Sequence, residues 1–343
     1  MKKYNVAILG ATGVVGQEFL ALLAERRFPL AGLRLLASSR SAGKKIEFSG
    51  ATYTVEEAAA ASFAGVDIAL FAGGAISKEL APYAVKAGAV VVDNSSAFRM
   101  DPAVPLVVPE VNPEALRGHN GIVANPNCST IIMVMALKPI YDLAKIKRIV
   151  VSTYQAVSGA GKEAIDELDS QVAAHAAGNE MRALVLPSAG LPKHYPIAFN
   201  LIPQIDVFLD NGYTKEEMKM VNETRKIMGD NDMAITATTV RVPVYRSHSE
   251  AINVELEKSL PPAKIKEALS AFKGVVLQDD PAAMLYPMPL YTSKLDDVYV
   301  GRVRRDESRE NAWNLWVVGD QIRKGAALNT LQIAEKMIEM KLI

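Results

Sequence analysis

The stretch YNVAILGATGVVG at residues 4–16 joins an apolar run to a glycine loop and the start of a helix. The run Tyr4–Leu9 predicts a buried strand, and GQEFLALLAE at residues 16–25 has its apolar side chains at helical spacing. A glycine loop in that position lets the backbone approach a pyrophosphate at a helix N-terminus. The stretch predicts a dinucleotide-binding domain. The expected cofactor contacts are Gly10, Ala11, Thr12, Gly13, Val14, Val15 and Gly16. Because the spacing is G-x-x-G-x-x-G, a tight turn without a ligand is the alternative.

Further apolar runs follow at residues 33–37, 66–71 and 89–93, with helical composition at 77–87. Strands that are buried on both faces read as continuous apolar runs, which is typical of a parallel sheet covered by helices. The alternation of strands and helices therefore predicts an α/β, Rossmann-like, doubly wound domain.

The pattern changes after about residue 145. The runs at 147–155, 234–242, 250–256 and 313–318 alternate or are β-branched, and they predict a mixed or antiparallel sheet in an α+β catalytic and dimerisation domain. The proline-rich segment 178–210 is expected to be a loop, and an amphipathic helix is expected at about 324–340. We place the domains at residues 1–127 with 322–343, and 128–321.

Composition excludes several classes of protein. The 343 residues suggest about two domains. Lys+Arg and Asp+Glu are 38 each, so a basic surface for nucleic acid is not expected. The longest apolar run, residues 131–137, is far too short to span a membrane. One cysteine excludes an internal disulfide framework and a cysteine-cluster metal site, and it fits the reducing cytoplasm.

The type of cofactor is indicated by the end of the second predicted strand. An acidic residue there would bind the ribose 2′-hydroxyl of NAD, whereas an arginine accommodates a 2′-phosphate. The chain has Ser38, Ser39 and Arg40 at this point, with no acidic residue. The sequence therefore predicts NADP(H); a solvated loop arginine is the alternative.

Cys128 follows a proline turn and precedes the apolar helix 131–143. A thiolate at a helix N-terminus is stabilised by the helix dipole, and the carboxyl edge of an α/β sheet is where ligands bind. A lone cysteine is also commonly a small buried hydrophobe. Both interpretations remain open on this context alone.

The segment RVPVYRSHSE at residues 241–250 places Arg241, Arg246 and His248 around a predicted turn between strands. Two guanidinium groups and an imidazole there form a candidate anion site, with His248 as general base. Glu216 and Lys219 lie at i,i+3 on a predicted helix, and by themselves they indicate a surface ion pair.

Seven segments, in order, resemble the bacterial type of the aspartate-semialdehyde dehydrogenase family. They are GATGVVG (10–16), NSSAFRM (94–100), PNCST (126–130), QAVSGAG (155–161), EEMK (216–219), RVPVYRSHSE (241–250) and GAALNTLQIAE (325–335). The resemblance covers nearly the whole chain.

The resemblance implies NADPH-dependent reductive dephosphorylation of aspartyl phosphate to aspartate semialdehyde, with release of phosphate. That step leads towards lysine and diaminopimelate, threonine, methionine and isoleucine. It also implies a homodimer. The balanced charge makes nucleic acid and membrane unexpected partners, the single cysteine fits a cytoplasmic location, and no metal-ligand spacing is present, so no metal is expected.

Residue roles follow from the resemblance only. Cys128 matches the nucleophile, His248 the acid/base and Gln155 the group that orients the thioester. Arg241 and Glu216 match the groups that hold the carboxylate and amino ends of the substrate. The phosphate pocket is matched by Arg99, Asn127 and Lys219, and the nicotinamide contacts by Ser158, Gly159 and Gln321.

One residue departs from the family pattern, because Ser247 stands where a glycine is expected before the histidine. The competing functions are N-acetyl-γ-glutamyl-phosphate reductase and glyceraldehyde-3-phosphate dehydrogenase, which pair a cysteine with a histidine on the same architecture. The first should not need a carboxylate such as Glu216, and the second favours NAD. A non-catalytic nucleotide sensor of this fold would be expected to lack the cysteine, the histidine or the arginines.

Overall fold

The structure, a computed structural model, describes residues 2–343. The chain forms two compact units: residues up to Asn127 together with Ala326–Ile343, and Cys128–Gly325. Sequence analysis placed the second boundary four residues earlier, between 321 and 322.

The first unit is built on a six-stranded parallel sheet with strand order β5-β2-β1-β6-β7-β8. Its strands are β1 (Tyr4–Leu9), β2 (Leu30–Ala37), β5 (Glu56–Glu57), β6 (Ile68–Phe71), β7 (Val90–Asp93) and β8 (Ile122–Ala124). A separate hairpin joins β3 (Lys45–Phe48) to β4 (Ala51–Thr54). The helices of this unit are α1 (Val14–Glu25), α2 (Ile76–Lys86) and α8 (Leu328–Glu339).

Helices cover both faces of the parallel sheet. Val6 and Ile8 of β1 belong to one apolar core with α1 and α8, whereas Ala7 and Leu9 belong to a second core with α2. Successive side chains of a strand point to opposite faces, so burial on both sides requires an uninterrupted apolar run. The predicted doubly wound domain is confirmed.

The second unit contains a six-stranded mixed sheet with strand order β10-β9-β11-β14-β13-β12. Its strands are β9 (Ile146–Gln155), β10 (Ala234–Arg241), β11 (His248–Leu256), β12 (Val275–Leu277), β13 (Val298–Arg305) and β14 (Ala312–Gly319). The β9–β10 and β12–β13 pairs are parallel, and the other pairs are antiparallel. The predicted mixed sheet is confirmed.

Five α-helices belong to the second unit: α3 (Cys128–Ala144), α4 (Lys162–Ala176), α5 (Lys215–Met228), α6 (Pro262–Ala271) and α7 (Pro289–Thr292). A π-helix follows at Arg323–Ala327. The side chains of Ile131–Leu137 on α3 are fully buried, and α3 contacts β11 and β14. Helix α3 is thus the central packing element of this unit.

Several boundaries differ from the sequence predictions. Helix α3 begins at Cys128 and not at residue 131, and His248 is the first residue of a strand and not part of a turn. Residues 178–210 contain no helix or strand, as predicted, although Ile202 and Phe208 make isolated bridges. Within residues 2–343, no helix has both the length and the apolar character needed to cross a bilayer.

Candidate active site

The ends of three neighbouring strands bring polar side chains to one edge of the mixed sheet. Parallel strands β9 and β10 end at Gln155 and Arg241, which are paired in register. Antiparallel strand β11 begins at the same edge with His248, since Ser249 pairs with Tyr154. The register of the sheet therefore gathers three residues that are far apart in sequence.

Cys128 is partly exposed and is the first residue of α3, whose following turns are buried. The charge of Cys128 raises the pKa of Arg241, against the effect of burial, so the two groups interact electrostatically. A Cβ atom added at Gly325 would lie 3.0 Å from the Cβ of Cys128, which shows how closely the π-helix backbone approaches the cysteine. The thiol therefore lies at the positive end of a helix and within the electrostatic influence of a buried guanidinium.

His248 is completely buried. Its Nδ1 accepts a hydrogen bond from the backbone N–H of Ala156 at 3.0 Å, so in the neutral ring the proton is on Nε2. Burial, together with the charge of Arg241, lowers the pKa of His248 well below its usual value of 6.5. The imidazole is therefore neutral at pH 7 and can donate from Nε2.

Gln155 lies between the imidazole and the acidic part of the cluster. Its Nε2 lies 3.4 Å from Nε2 of His248 and donates to Oε1 of Glu216 at 3.3 Å. The hydroxyl of Thr153 donates to Oε1 of Gln155 at 3.0 Å. Thr153 was not identified from the sequence, because a threonine in an alternating strand carries no signal of its own.

Arg241 is buried, and its Nη1 donates to the carbonyl of Ala156 at 2.7 Å. Burial lowers the pKa of this guanidinium, while the charges of Glu216 and Cys128 act in the opposite direction. An arginine remains cationic through such a shift, since its usual pKa is above 12. It therefore supplies a fixed positive charge in a dry part of the site.

The interpretation of Glu216 and Lys219 as a surface pair was wrong. Glu216 is buried, because its helix packs against β10, and its Oε2 accepts from Lys219 Nζ at 3.0 Å. Lys219 also donates to Asp206 at 3.0 Å. Burial tends to lower the pKa of Lys219, but the two carboxylates outweigh it and the net pKa is raised. Asp206 was not identified from the sequence, because it lies in the proline-rich segment 178–210, where the pattern indicates a loop but not which residues face the site.

The absence of a side chain at Gly159 lets the backbone approach Arg241 and His248 closely. A Cβ atom added there would lie 3.0 Å from Nη1 of Arg241 and 3.2 Å from Cε1 of His248. Ser158 and Gln321, which the resemblance assigned to the cofactor, hydrogen-bond to each other at 2.5 Å. These three predicted residues therefore lie around the same imidazole.

The glycine loop of the first unit has the geometry that a pyrophosphate needs. Gly10 has φ +84°, and a Cβ atom added at Gly16 would lie 2.2 Å from the carbonyl oxygen of Gly10. Helix α1 starts at Val14 without a capping side chain or an acidic residue in its first turn. Its N-terminal amides are thus available to an anion.

The predicted 2′-phosphate residues lie directly after β2. Ser38, Ser39 and Arg40 are exposed, and Ser39–Ser41 form a short 3-10 helix. The hydroxyl of Thr12 in the glycine loop donates to that of Ser41 at 3.3 Å, so the two loops are in contact. No acidic side chain occurs in residues 38–41.

Arg99 and Asn127 belong to the first unit and are both buried. Arg99 donates from Nε to the carbonyl of Asn125 at 2.9 Å and from Nη2 to that of Asn94 at 3.0 Å. Backbone carbonyls thus fix the orientation of the guanidinium.

A glycine loop between a strand and a helix of a doubly wound sheet is typical of dinucleotide-binding dehydrogenases, and a cysteine at a helix N-terminus in a domain with a buried imidazole and guanidinium is typical of those that act through a thiol. Family models for the semialdehyde dehydrogenase NAD-binding domain and the semialdehyde dehydrogenase dimerisation domain match residues 5–119 and 137–324. The chain belongs to the semialdehyde dehydrogenase family.

Individual proteins of this family are similar to the chain over its full length. The aspartate-semialdehyde dehydrogenases of Bacillus subtilis and Aquifex aeolicus are 54% and 55% identical to this chain, with 99% of each chain covered. The crystal structure of aspartate-semialdehyde dehydrogenase II from Vibrio cholerae, complexed with ASA, is 48% identical and has a TM-score of 0.94, again with 99% of both chains covered.

Proposed function

We propose that this protein is an NADPH-dependent aspartate-semialdehyde dehydrogenase, which converts L-aspartyl-4-phosphate to L-aspartate-4-semialdehyde and phosphate. The observation that carries the proposal is the cluster of Cys128, Gln155, Arg241 and His248 at one sheet edge. Full-length relatives with this activity in their names, at 54% and 55% identity, support it.

In the proposed first half-reaction, the thiolate of Cys128 attacks the acyl phosphate carbonyl. A C–S bond forms, the C–O bond to phosphate breaks, and phosphate leaves with the bonding electrons. The product is a thioester, which accepts hydride more readily than an oxygen ester or a free acid. Arg241 and Lys219 are the candidates within the second unit to hold the substrate's anionic groups.

In the second half-reaction, the thioester carbon gains hydride, which reduced nicotinamide supplies when NADPH is bound. Nε2–H of His248 donates a hydrogen bond to the developing oxyanion of the tetrahedral intermediate and stabilises it without giving up its proton. The oxyanion then re-forms the carbonyl, the C–S bond breaks, and the aldehyde leaves. The thiolate of Cys128 is regenerated, helped by the N-terminus of α3 and by the charge of Arg241.

Substrate selection is assigned to the two ends of the cluster. Arg241 offers a planar fork that suits a carboxylate, and Glu216 is the candidate partner for the amino group. An N-acetylated substrate has no ammonium to pair with Glu216, so N-acetyl-γ-glutamyl phosphate is a poor candidate.

The glycine loop would hold the pyrophosphate of NADP(H), and Arg40 with Ser38 and Ser39 would hold its 2′-phosphate. The close approach of the Gly16 backbone to Gly10 and the uncapped start of α1 support this assignment. Arg40 in place of an acidic residue favours the phosphorylated cofactor.

The proposed assembly is a homodimer. The matched dimerisation domain at residues 137–324 supports it. Large exposed apolar side chains are concentrated in this unit, among them Leu184, Phe199, Met284, Leu290 and Tyr291. Light scattering after size exclusion would test the assembly. A cytoplasmic location is proposed as well, because a single unpaired cysteine fits a reducing compartment.

One assay tests the function. Purified protein is given NADP⁺ and phosphate with aspartate semialdehyde, N-acetylglutamate semialdehyde or glyceraldehyde 3-phosphate, and NADPH is followed by absorbance. We expect phosphate-dependent turnover with aspartate semialdehyde, and slower turnover with NAD⁺. Faster turnover with either of the other aldehydes would overturn the proposal.

A further inference from the structure

The three residues of the turn before β11, and His248 at the start of that strand, are each held by groups from outside this segment. The bonds run from Ser158 Oγ to the Tyr245 carbonyl, from Arg246 Nε to Asp320 Oδ2 (2.5 Å), from Ser247 N to Gln321 Oε1 (2.8 Å) and from Ala156 N to His248 Nδ1 (3.0 Å). Asp320 and Gln321 are consecutive residues directly after β14. They hold two consecutive residues of the turn.

Gln321 is the central member of a directed chain of hydrogen bonds. A serine hydroxyl has one proton, and that of Ser158 is donated to the carbonyl of Tyr245. Oγ of Ser158 therefore accepts from Nε2 of Gln321 at 2.5 Å, which leaves Oε1 of Gln321 to accept from the N–H of Ser247. Gln321 and Ser158 are buried, so no solvent competes for these bonds.

Ser247 has a backbone conformation that requires such support. Its φ is +73°, in the left-handed region that a residue with a side chain rarely adopts. The residue is completely buried, and its Oγ lies 3.4 Å from Oγ of Ser293. A conformation of this kind persists only where its surroundings determine it. The next residue in the chain is His248.

We propose that Gln321 is a positioning residue for His248, acting through the backbone of Ser247. The amide of Gln321 fixes the left-handed turn, and the turn fixes the ring whose Nδ1 receives the N–H of Ala156. This role is separate from contact with the nicotinamide. Only the kinetic test of this role depends on the proposed function; the NMR test does not.

The first test needs neither cofactor nor substrate. The homodimer is labelled with [¹⁵N]histidine, and the ring nitrogens are observed by NMR at pH 7. A His248→Asn variant identifies the signal of His248 among the four histidines. We expect the wild-type ring as a single neutral tautomer with its proton on Nε2. Gln321→Met and Gln321→Glu should both lose that signature, since neither side chain can donate to Ser158 at this pH.

The control is Gln278→Met, because the side chain of Gln278 makes no hydrogen bond among residues 2–343. It should leave the His248 signal unchanged. If His248 gives the same signal in both Gln321 variants as in the wild-type protein, the proposal is overturned.

Activity provides the second test. A displacement of about 1 Å at a catalytic group can cost on the order of 100-fold in rate. We expect Gln321→Met to lower kcat by about that factor, with little change in the Kd of NADP⁺ measured by calorimetry. Adding Ser247→Gly should restore part of kcat, since glycine adopts φ +73° without support.

A raised Kd for NADP⁺ with unchanged kcat and no rescue by Ser247→Gly would assign Gln321 to cofactor contact alone and overturn the positioning role. If wild-type protein proves inactive on aspartate semialdehyde while the NMR signature depends on Gln321, the proposed function fails and the positioning role stands. The two failures are thus distinguishable.

Discussion

The backbone N–H of Ala156 donates to Nδ1 of His248 at 3.0 Å, in a part of the second unit where the ring is completely buried. This bond needs an unprotonated Nδ1. Protonation of the ring would replace it with an opposed pair of donors and would place a second positive charge beside Arg241. The bond and the burial act in the same direction and keep the imidazole neutral.

We therefore expect His248 to titrate well below pH 6.5 in the folded protein, and at about pH 6.5 in urea-unfolded protein. Since the folded state resists the proton that the unfolded state accepts, stability should fall as the pH drops below about 6.5 towards the folded pKa. Histidine NMR across the pH range measures both states. Titration of His248 at or above 6.5 in the folded protein would contradict the assignment of a neutral ring that donates a hydrogen bond from Nε2.

Gly159→Ala should impair catalysis without unfolding the protein. Its Cβ would press on Arg241 and His248 at 3.0–3.2 Å, while the backbone at 159 is not in the left-handed region. Misplacement of the two groups should lower kcat/KM on the order of 100-fold, with Tm close to that of wild type. Gly118→Ala, where an added Cβ meets nothing within 4 Å, is the matched control. Equal kinetics for the two variants would mean that the space beside the imidazole is not used.

Arg241→Lys keeps a positive charge but loses the planar fork and the 2.7 Å bond to Ala156. A hydrogen bond to a charged group is worth about 1.5–3 kcal/mol, so KM for aspartate semialdehyde should rise roughly 10- to 100-fold. Arg148→Lys, on an exposed position of β9, is the control. An unchanged KM would remove Arg241 from carboxylate binding.

Glu250 lies two residues beyond His248 and is fully buried, and neither carboxyl oxygen has a hydrogen-bond partner within residues 2–343. Burial raises its pKa well above the usual 4.5, so the folded protein keeps a proton that the unfolded chain releases. Stability should therefore decline as the pH rises above about 4.5, by up to about 1.4 kcal/mol per pH unit until the folded pKa is reached.

Glu250→Gln removes this proton linkage. The difference in Tm between Glu250→Gln and wild type, measured by calorimetry, should grow in favour of the variant as the pH is raised from 5 to 8. Glu310→Gln, at an exposed position, is the control and should show no such trend. A difference between Glu250→Gln and wild type that is independent of pH would show that the carboxyl is ionised when buried.

The first unit was the more predictable part of the fold. Strands such as β1 and β6 are buried on both faces and read as apolar runs without a competing pattern. In the second unit, β13 and helix α6 escaped prediction. The sequence VYVGRVRR of β13 alternates with arginines and has a register shift after Gly301, which weakens the strand pattern.

The site was predictable to the extent that its chemistry lies in rare residues. A single cysteine, and the arginines and histidine of RVPVYRSHSE, are rare residue types that indicate chemistry in the sequence. Ala156 acts through its backbone and Thr153 through a common side chain, so neither is recognisable there. The position of Glu216 was misjudged because an i,i+3 pair on a polar helix does not reveal which face packs against a sheet. Only the register between β9 and β10 shows that Gln155 and Arg241 end side by side.

The central claim is that Cys128 carries the substrate's acyl group during turnover. The direct measurement is intact-protein and peptide mass spectrometry after acid quench of enzyme mixed with aspartyl phosphate in the absence of NADPH. We predict a mass gain of one aspartyl group on the peptide that contains Cys128. We also predict its loss on addition of NADPH and its absence in Cys128→Ser, which should still bind NADPH. An active wild-type enzyme that shows no adduct, or an adduct on another residue, would contradict the account.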